Sequence, residues 1–394
     1  MKAILLAAVV LVAVACGQSP SGSVTSPSSS NSPSAQSLLF AVLEAKGTAN
    51  ASTYNTVAIA GLDGNVRAET TFAPMPVPSL GCIGAILPAS AHVAAGKVFF
   101  GDDKGVVRSL STSGTVSTVA TFPMTSSQQM LSFAVSPDGA TLLATIFTSP
   151  LNAYPCTGSP SAATFTFDTY SAANGGSSRL VSHQSWTKPG PVMALTGWDA
   201  SGPIGTYPTV WASQGGGPGS TLGVYVRVDA ATVKPGAQLA DPSSCQVWDS
   251  VQSGAFVCMK DPVMTGGGTP AQKVVQPVSV RSANGTELWH STVAGQNVPF
   301  GPLLAPDGQH LMICCNDLNL ADSHEMLVGR SGSQVNMIKG FLPTGWLDGT
   351  TMIGELNTNP LEQGPFALGY VQSASPTKFT SMAFTGKFVG TVRP

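Results

Sequence analysis

The chain reads FAVSPDGATLL over residues 133–143 and LAPDGQHLM over residues 304–312. In both stretches a Pro-Asp-Gly turn lies between two apolar, strand-like segments. Alternation of apolar and polar residues is typical of a half-buried antiparallel strand, and the glycine permits the positive φ that a tight turn requires. Each stretch therefore predicts a β-hairpin.

The same pattern recurs along the chain from Leu38 onward. Seven outer hairpins are predicted, over residues 57–72, 98–122, 164–186, 224–239, 278–293, 326–341 and 366–384. Their first residues lie about fifty residues apart, a spacing typical of four-stranded propeller blades. Inner hairpins precede several of them, at residues 133–145, 245–259, 300–313 and 346–356. We therefore predict an all-β domain over residues 38–394, a β-propeller of seven four-stranded blades.

The two Pro-Asp-Gly turns resemble the blade turn of TolB-type, WD-repeat-like bacterial propellers. The resemblance covers residues 38–394 as an architecture and implies no function, because propellers include enzymes, receptors and scaffolds. A ring closes when strands from both termini share one blade. Residues 38–43 and 387–392 are therefore expected to lie in one sheet. A pair of two-sheet sandwiches is the structural alternative.

The composition favours strands and turns over helices. Asp, Glu, Lys and Arg make up 10% of the chain, against roughly 25% in typical globular domains. A formal net charge of -2 without a Lys/Arg cluster argues against a nucleic-acid partner. Beyond residue 16 no apolar run approaches the roughly 18–20 residues that a spanning helix needs. We expect a monomeric domain that contacts the membrane only through an anchor.

The N-terminal residues predict export and lipidation. Lys2 supplies a positive charge, and residues 3–15 are an apolar stretch of signal-peptide length. Residues 13–17, AVACG, resemble the bacterial lipobox, which implies a signal peptide over residues 1–15 and a lipidated Cys16. Ordinary cleavage that leaves Cys16 unmodified is the alternative. The predicted location is the extracytoplasmic side of the cell membrane, at the cell surface or in the periplasm.

Residues 16–37 form the predicted tether. Half of the twenty positions 18–37 are Ser, three are Pro and none is charged. Such a segment cannot bury enough apolar surface to offset its ordering entropy. As a flexible coil it spans about 25 Å.

Six further cysteines are available for disulfides in an exported chain. If residues 250–253 form a four-residue hairpin loop, Cys245 directly faces Cys258, at a separation close to disulfide geometry. The simplest pairing of the others joins Cys82 with Cys156 and Cys314 with Cys315, and two further connectivities stay open. Zinc is the alternative, but no Cys-x2-Cys or His-rich spacing supports it.

Catalytic signatures are missing from the sequence, including the Gly-x-Ser-x-Gly elbow, the phosphate loop and the His-Glu-x-x-His motif. We predict no cofactor and no metal. The chain has five histidines, from which any triad or metal site would have to draw. Surface or structural roles are the more common use of histidines in strands.

Long connections between the second and third strands of the blades suggest a binding face. These are residues 148–163, 197–223, 261–276, 315–325 and 357–365. Antiparallel order brings them to one face of the ring, together with the aromatic residues Tyr154, Trp198, Tyr207 and Trp211. Loops on a rigid scaffold commonly bind partners, and aromatic residues commonly anchor them. The alternative is that these loops merely tolerate insertions.

Three functions are compatible with these features. The first is a binding or scaffold module for a protein or glycan of the cell envelope. The second is a propeller-class enzyme, such as a glycan lyase, hydrolase or lactonase, with acidic and His residues at the central channel. The third is a purely structural envelope protein. An enzyme is expected to gather two or more carboxylates or histidines at the channel mouth.

Replacing the predicted lipidated residue tests the anchor. Cys16→Ala is expected to move the protein from the membrane fraction into the periplasm or medium, because no other membrane-binding segment is predicted. Fractionation and immunoblotting measure the distribution, and Ser19→Ala in the tether is the matched control. Membrane retention of the Cys16→Ala protein would contradict lipidation.

Overall fold

The computed structural model describes fifteen parts of the chain. They are residues 38–47, 54–80, 84–85, 89–153, 157, 164–188, 190–209, 212–213, 224–241, 243–250, 253–266, 272–295, 300–314, 324–357 and 366–393. These residues form strands and turns and contain no helix, so none of the described segments is a helix that could cross a membrane.

The strands form seven antiparallel blades. From the innermost strand outward, the blades are as follows: blade 1, Lys387–Val392, Leu39–Glu44, Thr56–Gly61 and Val66–Thr71; blade 2, Ala91–Ala94, Lys97–Gly101, Val106–Ser111 and Val116–Thr121; blade 3, Gln129–Val135, Thr141–Thr148, Phe165–Ala173 and Arg179–Trp186; blade 4, Val192–Asp199, Gly202–Thr209, Val224–Asp229 and Lys234–Gln238; blade 5, Gln246–Ser250, Phe256–Met259, Lys273–Arg281 and Glu287–Gly295; blade 6, Phe300–Leu304, His310–Cys314, Met326–Gly329 and Gln334–Asn336; blade 7, Phe341–Trp346, Thr351–Leu356, Ala367–Gln372 and Ser375–Thr385.

Two further short pairings complete the sheets. Val263–Thr265 pairs with the third strand of blade 5. Gly84–Ala85, which precedes blade 2, pairs with Ala212–Ser213, which lies between the second and third strands of blade 4. This second pair joins the connection that leads into blade 2 to the connection between the second and third strands of blade 4.

The blades form a closed ring. Innermost strands contact each other between blades 1 and 2, 2 and 3, 3 and 4, 5 and 6, 6 and 7, and 7 and 1. Between blades 4 and 5, Val224–Asp229 contacts Gln246–Ser250. The domain is a seven-bladed β-propeller, as the sequence predicts.

Strands from both ends of the described chain close the ring in blade 1. Leu39–Glu44 and Lys387–Val392 pair antiparallel, from Leu39 opposite Val392 to Leu43 opposite Lys387. Phe40 is fully buried beside this ladder, and its ring contacts Phe384 edge-on at 5.9 Å between centroids. The expected pairing of residues 38–43 with residues 387–392 is confirmed.

Apolar side chains fill the spaces between neighbouring blades. Six clusters of buried residues each join two adjacent blades. At the boundary of blades 4 and 5 the described cluster is smaller, with Cys245, Phe256 and Cys258 as its buried members. Cys245 and Cys258 form the predicted disulfide there, with their Cα atoms 5.1 Å apart.

The register of that hairpin differs from the prediction. Cys258 lies opposite Val247, not opposite Cys245. Ser250 pairs with Phe256, so the loop is longer than the four residues expected, and an irregularity shifts the register between Val247 and Ser250. The disulfide therefore links diagonal neighbours.

The other cysteines are only partly within the described structure. Cys314 is disulfide-bonded, and its partner lies outside the described residues. Cys82, Cys156 and Cys315 are also outside them, so both remaining pairings stay predictions. The described chain before Cys82 does meet the chain before Cys156, since the Asn152 N–H donates to the Ser79 carbonyl at 3.1 Å.

The predicted outer hairpin of blade 2 is also wrong. Residues 98–122 contain three strands rather than one outer hairpin. The turn at Lys104-Gly105 joins the second and third strands, and the outer pair turns at Gly114. Both glycines have a positive φ, so each turn is an equally good local hairpin signal.

Antiparallel order gives the ring two different faces. The turn face carries the connections from first to second and from third to fourth strand. The loop face carries the connections from second to third strand and those between blades. All seven innermost strands consequently run from the loop face to the turn face.

Gly386 tests the closure of the ring. It joins the last strand of blade 7 to Lys387–Val392 at φ +141°, and a Cβ there would lie 2.1 Å from the Leu43 carbonyl oxygen. Gly386→Ala is expected to lower the free energy of unfolding by about 3 kcal/mol or more, through backbone strain and overpacking. Urea denaturation measures it.

Gly64→Ala is the matched control. Gly64 also has a positive φ, of +79°, but nothing lies within 4 Å of a Cβ there. This variant is expected to lose only about 1 kcal/mol. Equal losses in the two variants would show that the expected clash with the Leu43 carbonyl oxygen adds nothing to the destabilisation of Gly386→Ala.

Candidate ligand-binding cavity

A cavity of about 410 Å³ lies in the central channel. Every blade contributes to its wall through the innermost strand, with Val389, Val93, Val135, Trp198, Asp249, Leu304 and Trp346 from blades 1 to 7 in turn. Most of these residues lie toward the ends of their strands. Because the innermost strands all run toward the turn face, the cavity lies at that end of the channel.

Asp199 is the most constrained acidic residue of the wall. It ends the innermost strand of blade 4 and is 3% exposed. Its Oδ1 accepts hydrogen bonds from the Arg227 guanidinium at 2.6 Å and from the Ser201 N–H at 2.7 Å. Its Oδ2 is buried and has no hydrogen-bond partner among the described residues. The carboxylate thus keeps one acceptor unused.

His92, on the innermost strand of blade 2, is the imidazole of the wall. Burial lowers the pKa of this imidazole to about 4. Its Nε2 is buried and has no hydrogen-bond partner in the described structure. The ring is therefore uncharged at neutral pH.

Three threonines of the wall donate their hydroxyl protons elsewhere. Thr196 donates to the Ile204 carbonyl at 3.3 Å, in blade 4. Likewise, Thr344 donates to a blade 7 carbonyl at 3.3 Å, and Thr391 donates to the Leu347 carbonyl at 2.5 Å. Since a hydroxyl has one proton and two lone pairs, these groups offer the cavity acceptors.

Asp249 links blades 4, 5 and 6 at the wall. Its Oδ2 accepts the Leu304 N–H of blade 6 at 2.8 Å. Tyr225 of blade 4 also lines the cavity, and its burial, with the nearby charge of Asp249, raises the pKa of the phenol to about 12. The phenol is therefore uncharged at neutral pH.

Charges near the cavity balance. Arg227 neutralises Asp199 through their ion pair. Asp249 and the exposed Arg393 both line the cavity and carry opposite charges. The wall as a whole therefore has no large net charge.

The two described aromatic residues of the predicted face, Trp198 and Tyr207, do not lie together on the loop face. Trp198 lies on Val192–Asp199 and lines the cavity near the turn face, not in a long loop-face connection. Tyr207 lies on the second strand, Gly202–Thr209. Tyr154 and Trp211 lie outside the described residues. The prediction of a connection over residues 197–223 is wrong because Asp199 to Gly202 form a tight turn between two strands.

Sequence reasoning did not select His92, Asp199 or Asp249. It expected carboxylates or histidines at the channel mouth only for an enzyme, and for a scaffold it expected a neutral surface with aromatic residues. A local signal existed for Asp199, because the Asp-Ala-Ser-Gly sequence at residues 199–202 is a turn sequence. Among the described residues, no group of three or more His, Cys, Asp or Glu could hold a metal ion.

Comparison with known proteins gives similarity of fold alone. No family model matches the chain, and no curated protein matches it. An oligogalacturonate lyase in complex with manganese has a TM-score of 0.45 and 9% identity, covering 77% of this chain and 79% of that chain. The oligogalacturonate lyase from Vibrio parahaemolyticus has a TM-score of 0.40 and 11% identity, covering 75% and 74%. BamB from Moraxella catarrhalis has a TM-score of 0.32 and 12% identity, covering 77% and 78%.

The lowered pKa of His92 predicts a pH dependence of stability. The unfolded chain binds this proton near pH 6.5 and the folded chain only near pH 4. Stability is therefore fully present above pH 6.5 and is lost as the pH falls toward 4, by up to about 3 kcal/mol if water does not reach the ring.

His92→Gln is expected to flatten this part of the pH profile, measured by urea denaturation between about pH 7 and pH 4.5. His290→Gln removes an imidazole that is 75% exposed and serves as the reference. If the free energy of unfolding depends on pH in the same way in the wild type and in His92→Gln, His92 does not cause this pH dependence.

Proposed function

We propose that this protein is an extracytoplasmic, lipid-anchored binding module that holds a protein or glycan ligand of the cell envelope at the turn-face cavity. The observation that carries the proposal is the cavity itself, whose wall combines the half-buried Trp198 with the polar residues His92, Asp199 and Asp249. Concave sites that combine apolar side chains with a few convergent polar groups are typical of ligand binding.

The rigidity of the ring supports this function. All wall residues except Pro306 and Arg393 belong to strands that are hydrogen-bonded within their blades. Asp199 and Asp249 are held further by Arg227 and by the Leu304 N–H. A wall that is fixed before the ligand arrives loses little entropy on binding.

The proposed tether would attach to the domain on the same face as the cavity. Leu39 lies opposite Val392, and Val392 ends an innermost strand at the turn face. A tether that ends at residue 37 therefore joins the propeller on the face where the cavity lies. With a span of about 25 Å, it leaves room for a ligand to reach the cavity.

The loop face is a second surface for a larger envelope partner. Tyr154 and Trp211 stay predicted contacts there, while Trp198 belongs to the cavity. A scaffold role in the envelope would use this face and leave the turn face free.

A propeller-class enzyme is the second candidate, favoured by two carboxylates and one imidazole on a single cavity. Such an enzyme would convert its bound ligand. Asp249→Asn would then abolish product formation while ligand is still captured. Recovery of an unchanged ligand from the wild-type protein would exclude this candidate.

The test of the binding function blocks the cavity. Thr196 is exposed and lines it, so Thr196→Arg is expected to fill the mouth without disturbing the core. The full-length protein is immobilised from detergent and mixed with envelope extract that includes glycans. The captured amount of at least one component is expected to be about tenfold lower with Thr196→Arg than with the wild type. The reason is that the arginine removes a central contact of the ligand.

The matched control is Leu180→Arg on the outermost strand of blade 3, where the side chain is 51% exposed. Its capture profile is expected to equal that of the wild type. Melting temperatures of both variants exclude unfolding as a cause. If Thr196→Arg captures the same components as the wild type, the cavity is not the binding site.

A further inference from the structure

The boundary of blades 4 and 5 differs from the other six boundaries of the ring. We propose that the ring opens at this boundary, and that opening widens the turn-face cavity on one side. The inference concerns a conformational change of the domain and does not depend on the proposed binding function. It follows from the packing at this boundary, from the polar side chains that face it and from the contacts that hold the blades on either side.

Apolar packing across this boundary is the least extensive in the described ring. At each of the other six boundaries, a cluster of buried apolar residues has members from both blades. The cluster here has three buried members, Cys245, Phe256 and Cys258, and all of them belong to the first hairpin of blade 5. Burial of apolar surface is the main favourable term in packing. Little of it therefore holds these two blades together.

The innermost strands also contact each other least at this boundary. Neighbouring innermost strands lie in closer contact at the other six boundaries. Between blades 4 and 5 the main contact joins Val224–Asp229, the third strand of blade 4, to Gln246–Ser250. The phenol of Tyr225 lies close enough to Asp249 for this carboxylate to contribute to the raised pKa of the phenol. The described contact across the boundary is therefore partly polar.

Alternation along two strands turns polar side chains toward the boundary. The valines on either side of Arg227 pack toward blade 3, so Arg227 faces blade 5. The valines on either side of Ser279 pack toward blade 6, so Ser279 and Arg281 face blade 4. The third strands of the two blades thus present one serine and two arginines to the space between them.

Several polar atoms at this boundary are buried and have no hydrogen-bond partner among the described residues. They are Arg227 Nη2, Arg281 Nε, Ser279 Oγ and, near the turn face, Asp199 Oδ2. Asp199 lies beside blade 5, since a Cβ on Gly254 would lie 3.3 Å from its Oδ2. A buried polar atom without a partner destabilises the closed state. Opening exposes such atoms to water, which removes this penalty and lowers the free energy of opening.

Blades 4 and 5 are each held to their other neighbour. Between blades 3 and 4, the Leu195 N–H donates to Ser132 Oγ at 2.9 Å. Between blades 5 and 6, the Trp289 indole N–H donates to the Gly308 carbonyl at 2.6 Å. A two-sided apolar cluster accompanies each of these contacts. Blade 4 therefore stays with blade 3, and blade 5 stays with blade 6, when the boundary between them opens.

Opening at this boundary acts on the cavity. Asp199 and Tyr225 line the cavity from blade 4, and Asp249 lines it from blade 5. Separation of the two blades therefore widens the cavity beside these three residues. In a ring of seven blades, this boundary lies opposite blade 1, where Leu39–Glu44 and Lys387–Val392 close the ring. Blade 1 is thus the hinge about which the two halves of the ring turn.

The disulfide between Cys245 and Cys258 provides a probe of opening. The two residues are 3% and 0% exposed and belong to the cluster at this boundary, so a reductant reaches the sulfurs only when the surrounding structure opens. The full-length protein in detergent is treated with dithiothreitol at several urea concentrations. Freed thiols are alkylated at intervals, and peptide mass spectrometry gives the rate of reduction. We expect reduction without urea, at a rate that rises with urea much less steeply than global unfolding does.

Two variants remove polar atoms from the boundary. Ser279→Ala and Arg281→Met stabilise the closed state relative to the open state, and each is expected to slow reduction of the disulfide about tenfold. Ser132→Ala is the matched control, because Ser132 is also a buried serine between two blades, but its Oγ accepts the Leu195 N–H. This control is expected to lower the melting temperature and to leave the rate of reduction unchanged. Circular dichroism verifies that each variant is folded.

Three results would overturn the inference. The first is reduction that depends on urea as steeply as global unfolding does. The second is faster reduction in Ser132→Ala, which would show that the sulfurs become accessible only when the whole domain unfolds. The third is an unchanged rate in both Ser279→Ala and Arg281→Met. Since no envelope ligand takes part, the result is independent of the capture experiment with Thr196→Arg.

Discussion

The backbone ladder between Leu39–Glu44 and Lys387–Val392 is the constraint on which the rest of the structure depends. Without it, blade 1 would lack its innermost strand, and both blade 1 and blade 7 would expose apolar faces that are now buried, including Phe40 and Leu368. A propeller has no single core. It has a series of apolar layers between blades, and each layer is complete only when the ring is closed.

Closure also creates the cavity. Once seven innermost strands run in one direction around an axis, their ends converge on the turn face, and residues that are distant in sequence become neighbours. Asp249 accepts a hydrogen bond from Leu304, fifty-five positions away. His92 and Asp199 reach the same wall from blades 2 and 4. These polar side chains are buried because the surrounding blades exclude solvent, so the architecture that stabilises the domain also sets the chemistry of the site.

The boundary of blades 4 and 5 contributes both to the stability of the domain and to the cavity. Its described apolar cluster is small, and it contains the Cys245–Cys258 disulfide. Asp199, at the end of the neighbouring strand, ties the first turn of blade 4 to Arg227 of its third strand. The contact between the blades is made by Val224–Asp229 and Gln246–Ser250. The disulfide lies within blade 5 and the ion pair lies within blade 4, so each stabilises its own blade beside this boundary.

The sequence alone predicted most of the hairpins, favoured seven blades and predicted the pairing of residues 38–43 with residues 387–392, but it misassigned the outer hairpin of blade 2. These follow from local rules, because turn residues such as Pro137 to Gly139 and the alternation beside them act within a few positions. The tertiary structure decided the diagonal register of Cys258 against Val247 and the position of Trp198 on a strand of the channel. It also decided which of His92, Asp199 and Asp249 share a wall. Such placements depend on packing between blades that are far apart in sequence, and no local pattern specifies that packing.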